Sequence, residues 1–145
     1  MTNTPREIRY TAHATAQGGR RGHSASDDGK VDVKLSAPTE LGGDGVGTNP
    51  EQLFAVGYAA CFNGALAAVA GKRDVDASGA ITRVRIGFGP EGRSYGITAE
   101  LESEVPRVDL ATAQDLVEAA HEFCPYSKAI RGNVPATVKA VASLD

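Results

Sequence analysis

Tryptophan is absent from this 145-residue chain, methionine occurs only at Met1, and the aromatic residues are four Phe and four Tyr. A core of domain size must therefore be built mainly from Ala, Val, Leu and Ile. An excess of positive charge is also missing. Fifteen Lys and Arg against 18 Asp and Glu leave a net charge of −3, which argues against a polyanion-binding surface. An apolar fraction of 41% excludes a largely disordered chain, and the length suits a single domain over residues 1–145. There are only two cysteines, Cys61 and Cys124, too few for a secreted disulfide scaffold. The first ten residues are polar and lack the apolar stretch of a secretory signal, so a cytoplasmic location is expected.

One uncharged run, Gln52 to Gly71, has about the length of a membrane-spanning helix. Seven of its residues are Ala, three are Gly, and Gln52 and Asn63 are polar. That composition fits a helix buried within a soluble protein better than one in lipid, and no membrane association is expected.

The elements follow from periodicity and punctuation. Val31, Val33 and Leu35 alternate with polar residues as in a half-buried strand. The Gly-rich segment Leu41–Gly47 lacks the Lys-Ser/Thr ending of a phosphate-binding loop. A helix is predicted from Asn49, Pro50 and Gln52, a capping pattern with Pro at the first helical position, running to about Gly71. A hairpin follows, with Val84, Ile86 and Phe88 alternating on one strand and Tyr95, Ile97, Ala99 and Leu101 on the other. Its turn is predicted at Gly89–Gly92. An amphipathic helix over Asp109–Phe123 carries Leu110, Ala113, Leu116, Val117 and Ala120 on one face, continued by Cys124 and stopped by Pro125. A last strand holds Val134, Ala136, Val138 and Ala140. The order gives an α+β fold, with antiparallel sheets around a buried cysteine-bearing helix and a second amphipathic helix.

The residues alone leave several readings of the cysteines open. Both can be inert apolar fillers, the usual fate of buried cysteine. Both project from faces expected to be buried, so they can also meet, with geometry deciding a disulfide. A zinc site with His121 lacks an evident fourth ligand and any Cys-x-x-Cys pair. A thiol that serves only as a redox switch is a further reading. If Cys61 reacts, it must do so as a thiolate, and at mid-helix it gains little from the helix dipole while burial opposes its charge. It then needs a cation from elsewhere. Arg20 or Arg21 can supply one, with Glu51 available to orient the guanidinium.

Gly18-Gly19-Arg20, then Thr48 through Phe54, then Ala60-Cys61-Phe62, then Cys124-Pro125-Tyr126-Ser127 resemble the organic hydroperoxide resistance (Ohr) proteins of the OsmC/Ohr superfamily. The resemblance runs along nearly the whole chain, with the motifs in family order and spacing. It implies a thiol peroxidase in which Cys61 is the peroxidatic cysteine, Cys124 the resolving cysteine, Arg20 the arginine that activates the thiolate and Glu51 its carboxylate partner. Arg20 rather than Arg21 takes the role because it directly follows the paired glycines and because neighbouring strand residues face opposite ways.

The resemblance further implies an organic (alkyl or fatty-acid) hydroperoxide as substrate and no bound cofactor or metal. The reductant is an external lipoyl dithiol, carried on a protein. The assembly is an intertwined homodimer. Leu53, Phe54 and Phe62 are the candidate apolar contacts for substrate.

Overall fold

The computed structural model describes residues 2–145. The chain forms two compact units, one ending at Pro50 and one spanning Glu51–Asp145.

The first unit is a three-stranded antiparallel sheet of β1 (Ala14–Gln17), β2 (His23–Ser26) and β3 (Asp32–Lys34), in that order. The β1–β2 connection is a short 3-10 turn, Gly19–Arg21. Its closure depends on Gly22, where a Cβ would stand 1.8 Å from the Gln17 carbonyl oxygen. Arg20 and Arg21 thus lie on a helical turn, and both are exposed. This corrects the expectation that they alternate on a strand, so the choice between them no longer rests on strand geometry. Beyond β3 the chain turns through Thr39–Leu41 and returns so that Thr48 pairs in parallel with the buried Leu35.

The second unit opens with α1 (Pro50–Lys72), a helix that starts where Pro is best tolerated. Tyr58, Phe62, Ala65, Leu66, Val69 and Ala70 are buried along it, a helical repeat that defines one core-facing side. Val56, Ala60, Gly64, Ala67 and Gly71 are exposed. The helix expected to be covered all round is therefore covered within one chain on one side. Among the described residues it is also the one helix long and apolar enough to cross a membrane, yet Tyr58, Phe62 and Leu66 are sealed in the protein core.

Next come β4 (Ile81–Glu91) and β5 (Ser94–Glu104), an antiparallel hairpin. Its strands run beyond the predicted turn: Gly89 and Pro90 pair with Gly96 and Tyr95, leaving Gly92-Arg93 as the loop. A two-residue loop matches the twist of its flanking strands, which favours the longer pairing. The last strand, β6 (Ala136–Val141), adds to β5 in parallel. A parallel neighbour needs a crossover, which α2 (Leu110–Phe123) and the short α3 (Pro125–Ile130) supply. Asp109 caps α2 by accepting from the Thr112 backbone N–H at 2.8 Å.

Register places Val84 opposite Leu101, Ile86 opposite Ala99, and both of those β5 residues beside Val138 and Ala136 of β6. This apolar face joins one core with α1 and with Ala113, Leu116, Val117 and Ala120 of α2. The other face of the sheet is charged, with Glu102 between Arg85 (3.1 Å) and Lys139 (3.3 Å).

Leu66 is fully buried, so Leu66→Ala is expected to lower the unfolding free energy by about 2–5 kcal/mol. Asp109→Ala, which removes only a helix cap, is expected to lower it by about 1 kcal/mol. Urea titration followed by circular dichroism measures both; equal losses would contradict this assignment of core and cap.

Candidate active site

Cys61 lies near the middle of α1, with Tyr58 one turn and Phe54 two turns before it. Cys124 sits at the junction between α2 and α3. Its backbone N–H still donates to Ala120 O (2.8 Å), while its own carbonyl accepts from the Lys128 N–H (3.0 Å) as α3 begins. Between these bonds its backbone is extended, at φ −65° and ψ 124°, and Pro125 starts the new helix. Proline thus redirects the chain here instead of simply ending it, because its fixed φ suits a first helical position.

The consequence is a close approach of the two thiols. The Cys124 and Cys61 sulfur atoms are 3.5 Å apart and unlinked. A disulfide is about 2.05 Å long, so roughly 1.5 Å of movement would join them. Cys124 has no exposed surface, whereas Cys61 is half-buried. Cys61 is thus the more accessible of the two residues.

An aromatic wall flanks the pair. Phe54, Tyr58 and Tyr126 pack mutually, with ring centroids 5.9, 6.0 and 5.8 Å apart. Tyr126 lies over α1 at Gly57, where an added Cβ would come within 3.3 Å of the tyrosine hydroxyl. Behind the wall, the Tyr58 hydroxyl and Ser127 Oγ are 2.8 Å apart, and Ser127 Oγ is 2.9 Å from His121 Nδ1.

Electrostatics follow from burial. Removal from water pushes the Cys61 thiol above its ordinary range; the Tyr126 backbone N–H opposes the rise and the adjacent Cys124 thiol adds to it. Tyr58 is raised, chiefly by burial, with its bond to Ser127 opposing. His121 is lowered, first by burial and then by the Arg131 charge, while Glu122 pulls the other way. Burial and the Arg131 charge thus both favour the neutral imidazole. Among the described residues, no group of three or more His, Cys, Asp or Glu stands where it could hold a metal ion, and His121 Nδ1 is engaged by Ser127.

Residues 42–139 match the family model for OsmC-like protein. The chain is 50% identical over 137 residues to the organic hydroperoxide resistance protein of Xanthomonas axonopodis pv. citri, covering 93% of this chain and 96% of that protein.

The chain belongs to the OsmC-like protein family.

Other members agree with that placement. Organic hydroperoxide resistance protein OhrB of Bacillus subtilis is 47% identical over 126 residues, 86% of this chain and 93% of that protein. Its crystal structure superposes with a TM-score of 0.85 at 42% identity, over 92% of this chain and all of that one. A crystal structure of a putative organic hydroperoxide resistance protein from Vibrio cholerae, described with captopril in one of its active sites, matches with a TM-score of 0.91 at 40% identity over 99% of each chain. The α+β architecture is thus that of OsmC-like and Ohr structures.

Within this OsmC-like chain, the structure brings together Cys61 and Cys124, and packs Phe54 against the rings of Tyr58 and Tyr126. Phe62 is fully buried in the core, so its surface is used in packing, and Leu53 is half-buried in the first turn of α1. Glu51 is the second residue of α1 and half-buried, while Arg20 lies on the β1–β2 turn of the first unit. Sequence reasoning gave no role to Tyr58, Tyr126 or Ser127 and weighed His121 only as a metal ligand. The available signal was spacing, since Tyr58 and Ser127 each stand three residues from a cysteine, within one helical turn.

Treating the reduced chain with one equivalent of diamide is expected to produce an intramolecular Cys61–Cys124 disulfide in high yield. Peptide mass mapping without reduction measures it. Crosslinking between chains instead, or two thiols still free, would contradict the proximity of the sulfurs.

Proposed function

We propose that this protein is a thiol-dependent peroxidase that reduces organic hydroperoxides to alcohols and so protects against oxidative stress. The observation that carries the reading is the pair of unlinked thiols 3.5 Å apart, one half-buried and one sealed from solvent, beside an aromatic wall. Two further facts support it. Relatives about half identical over nearly the whole chain are named organic hydroperoxide resistance proteins, and the apolar wall suits alkyl or fatty-acid hydroperoxides better than hydrogen peroxide.

The chemistry balances with the chain's own residues. The Cys61 thiolate attacks the distal oxygen of ROOH, and the O–O bond breaks. The departing alkoxide takes a proton to become ROH, and Cys61 is left as a sulfenic acid. Cys124 sulfur then attacks the Cys61 sulfur, forming the disulfide and releasing water. An external dithiol returns two electrons by thiol–disulfide exchange; a lipoyl group such as dihydrolipoamide, carried on a protein, fills this role. Electrons pass only between sulfur and oxygen, so the cycle calls for no bound cofactor or metal.

Burial raises the Cys61 thiol, so a working thiolate needs a compensating cation. Arg20 is assigned that role, with Glu51 orienting it by paired hydrogen bonds. The guanidinium would also stabilise the charge developing on the departing oxygen. Leu53 and Phe54 are assigned to the substrate's apolar tail, with Phe62 backing them from the core. The protein acts in the cytoplasm as a homodimer, without nucleic acid or membrane as partner. The exposed side of α1, with Val56, Ala60, Gly64, Ala67 and Gly71, supports the dimer, because small apolar residues allow close helix approach.

With tert-butyl hydroperoxide, the wild-type chain is expected to consume one equivalent and lose both thiols, then turn over continuously on addition of dihydrolipoamide. Cys61→Ser is expected to be inert, and Arg20→Ala to slow the reaction at least about 100-fold, far more than Arg21→Ala. Peroxide consumption in a stopped-flow assay reads all of these. Wild-type rates in Cys61→Ser would sink the assignment, and equal effects of the two arginines would undo the choice of Arg20.

A further inference from the structure

The cycle above leaves one buried hydrogen-bonded chain without a role. Ser127 Oγ lies between the Tyr58 hydroxyl (2.8 Å) and His121 Nδ1 (2.9 Å), and Tyr58 and Ser127 have no exposed surface. Tyr58 precedes Cys61 by three residues on α1, and Ser127 follows Cys124 by three residues within α3. Side chains three apart on a helix are neighbours on one face. The Tyr58–Ser127 bond therefore lies about one turn from the thiol pair and joins the same two segments. His121 precedes Cys124 by three residues on α2, so a single hydroxyl ties α1 to both sides of the α2–α3 junction.

A serine hydroxyl donates once and accepts twice. With His121 neutral and its proton on Nε2, the chain runs in one sense: Tyr58 O–H donates to Ser127, and Ser127 O–H donates to Nδ1. A protonated imidazole has N–H on both nitrogens. Nδ1 then donates to Ser127, whose oxygen accepts from it and from Tyr58 together, and the Ser127 proton loses its acceptor in a buried position. An unmatched buried donor is expensive. Arg131 beyond α3 and Glu122 on α2 act on the imidazole's charge, Asp115 and Glu118 of α2 and Arg73 after α1 line the same cleft, and Tyr58 is reached through Ser127. Arg131 also donates to the His121 carbonyl at 2.7 Å, which fixes the cation beside the ring.

We propose that Ser127 is a positioning residue for disulfide formation: held between Tyr58 and neutral His121, its hydroxyl keeps Cys124 within reach of oxidised Cys61, and protonation of His121 loosens that hold. The inference rests on the Cys61–Cys124 peroxidase reading. In the step it serves, the Cys124 sulfur attacks the sulfenic sulfur, the S–O bond breaks as the S–S bond forms, and the thiol proton leaves with the hydroxide as water. Cys124 is oxidised and the sulfenic sulfur is reduced. Ser127 touches none of the reacting atoms in this account; it acts through the placement of Cys124.

Rapid quenching of the reduced full-length chain after one equivalent of tert-butyl hydroperoxide separates the two steps, with mass spectrometry measuring Cys61 sulfenic acid and Cys61–Cys124 disulfide. Ser127→Ala and Tyr58→Phe, which break the same bond from opposite ends, are each expected to slow disulfide formation about tenfold relative to Cys61 oxidation. His121→Asn keeps an acceptor close to the Nδ1 position but cannot protonate. Its disulfide rate is expected to match the wild type near neutral pH and to exceed it increasingly as the pH falls below the ordinary imidazole range, because the His121 shift is downward. Taking the ratio of the two rates cancels the titration of the thiols themselves. Wild-type step ratios in both Ser127→Ala and Tyr58→Phe, or a His121→Asn to wild-type ratio that is flat with pH, would overturn the positioning role while leaving the peroxidase reading intact. Failure of the wild type to form the disulfide would overturn both.

Discussion

The site depends on one constraint: the junction between α2 and α3 must reach the middle of α1. Everything distinctive about the chemistry follows from that contact. Cys124 is the last residue satisfied by α2 and the first that supports α3, so its position is fixed by two helices at once. The other side of the contact is a long helix whose buried side is closely packed. Neither sulfur rests on a loop free to wander, and a gap of 3.5 Å is about what a pair of thiols needs to remain separate yet close quickly on oxidation.

That placement carries an electrostatic penalty. A thiol at the centre of a helix and out of water resists ionisation, and the shift of Cys61 runs in that direction. The same desolvation that opposes the thiolate also makes any neighbouring cation or N–H more effective, because charges interact more strongly where water is excluded. The Tyr126 backbone N–H, presented as α3 begins, already acts in this sense. A site of this kind needs an arginine more than a lysine, since a lysine in the same surroundings would tend to lose its own proton.

Much of the fold was legible wherever a local rule coincided with the tertiary demand. The extent of α2 followed from a helical apolar repeat and the proline that stops it, and the hairpin's inward residues followed from strict alternation. The misses occurred where local signals served two outcomes. Pro125 ends a helix and opens another with the same fixed φ, so α3 was hidden behind a stop signal. Gly89-Pro90 resembles a turn, yet it sits within the paired ends of the hairpin, where loop geometry decides. The parallel pairing of β5 and β6 depends on contacts distant in sequence, which no local pattern reports. At the site, the cysteines and Phe54 were visible as residue types, and the motif around Cys124 included Tyr126 and Ser127. Their roles were not visible, because a tyrosine–serine bond between segments 69 residues apart exists only once α1 and α3 are in contact.

The most direct test of the central claim, that Cys61 reacts first and Cys124 resolves it, is peptide mass spectrometry of Cys124→Ser after one equivalent of an organic hydroperoxide. The account predicts a gain of one oxygen on the peptide containing Cys61, with no disulfide-linked product within the chain. An unmodified Cys61 after the hydroperoxide has been consumed would contradict it.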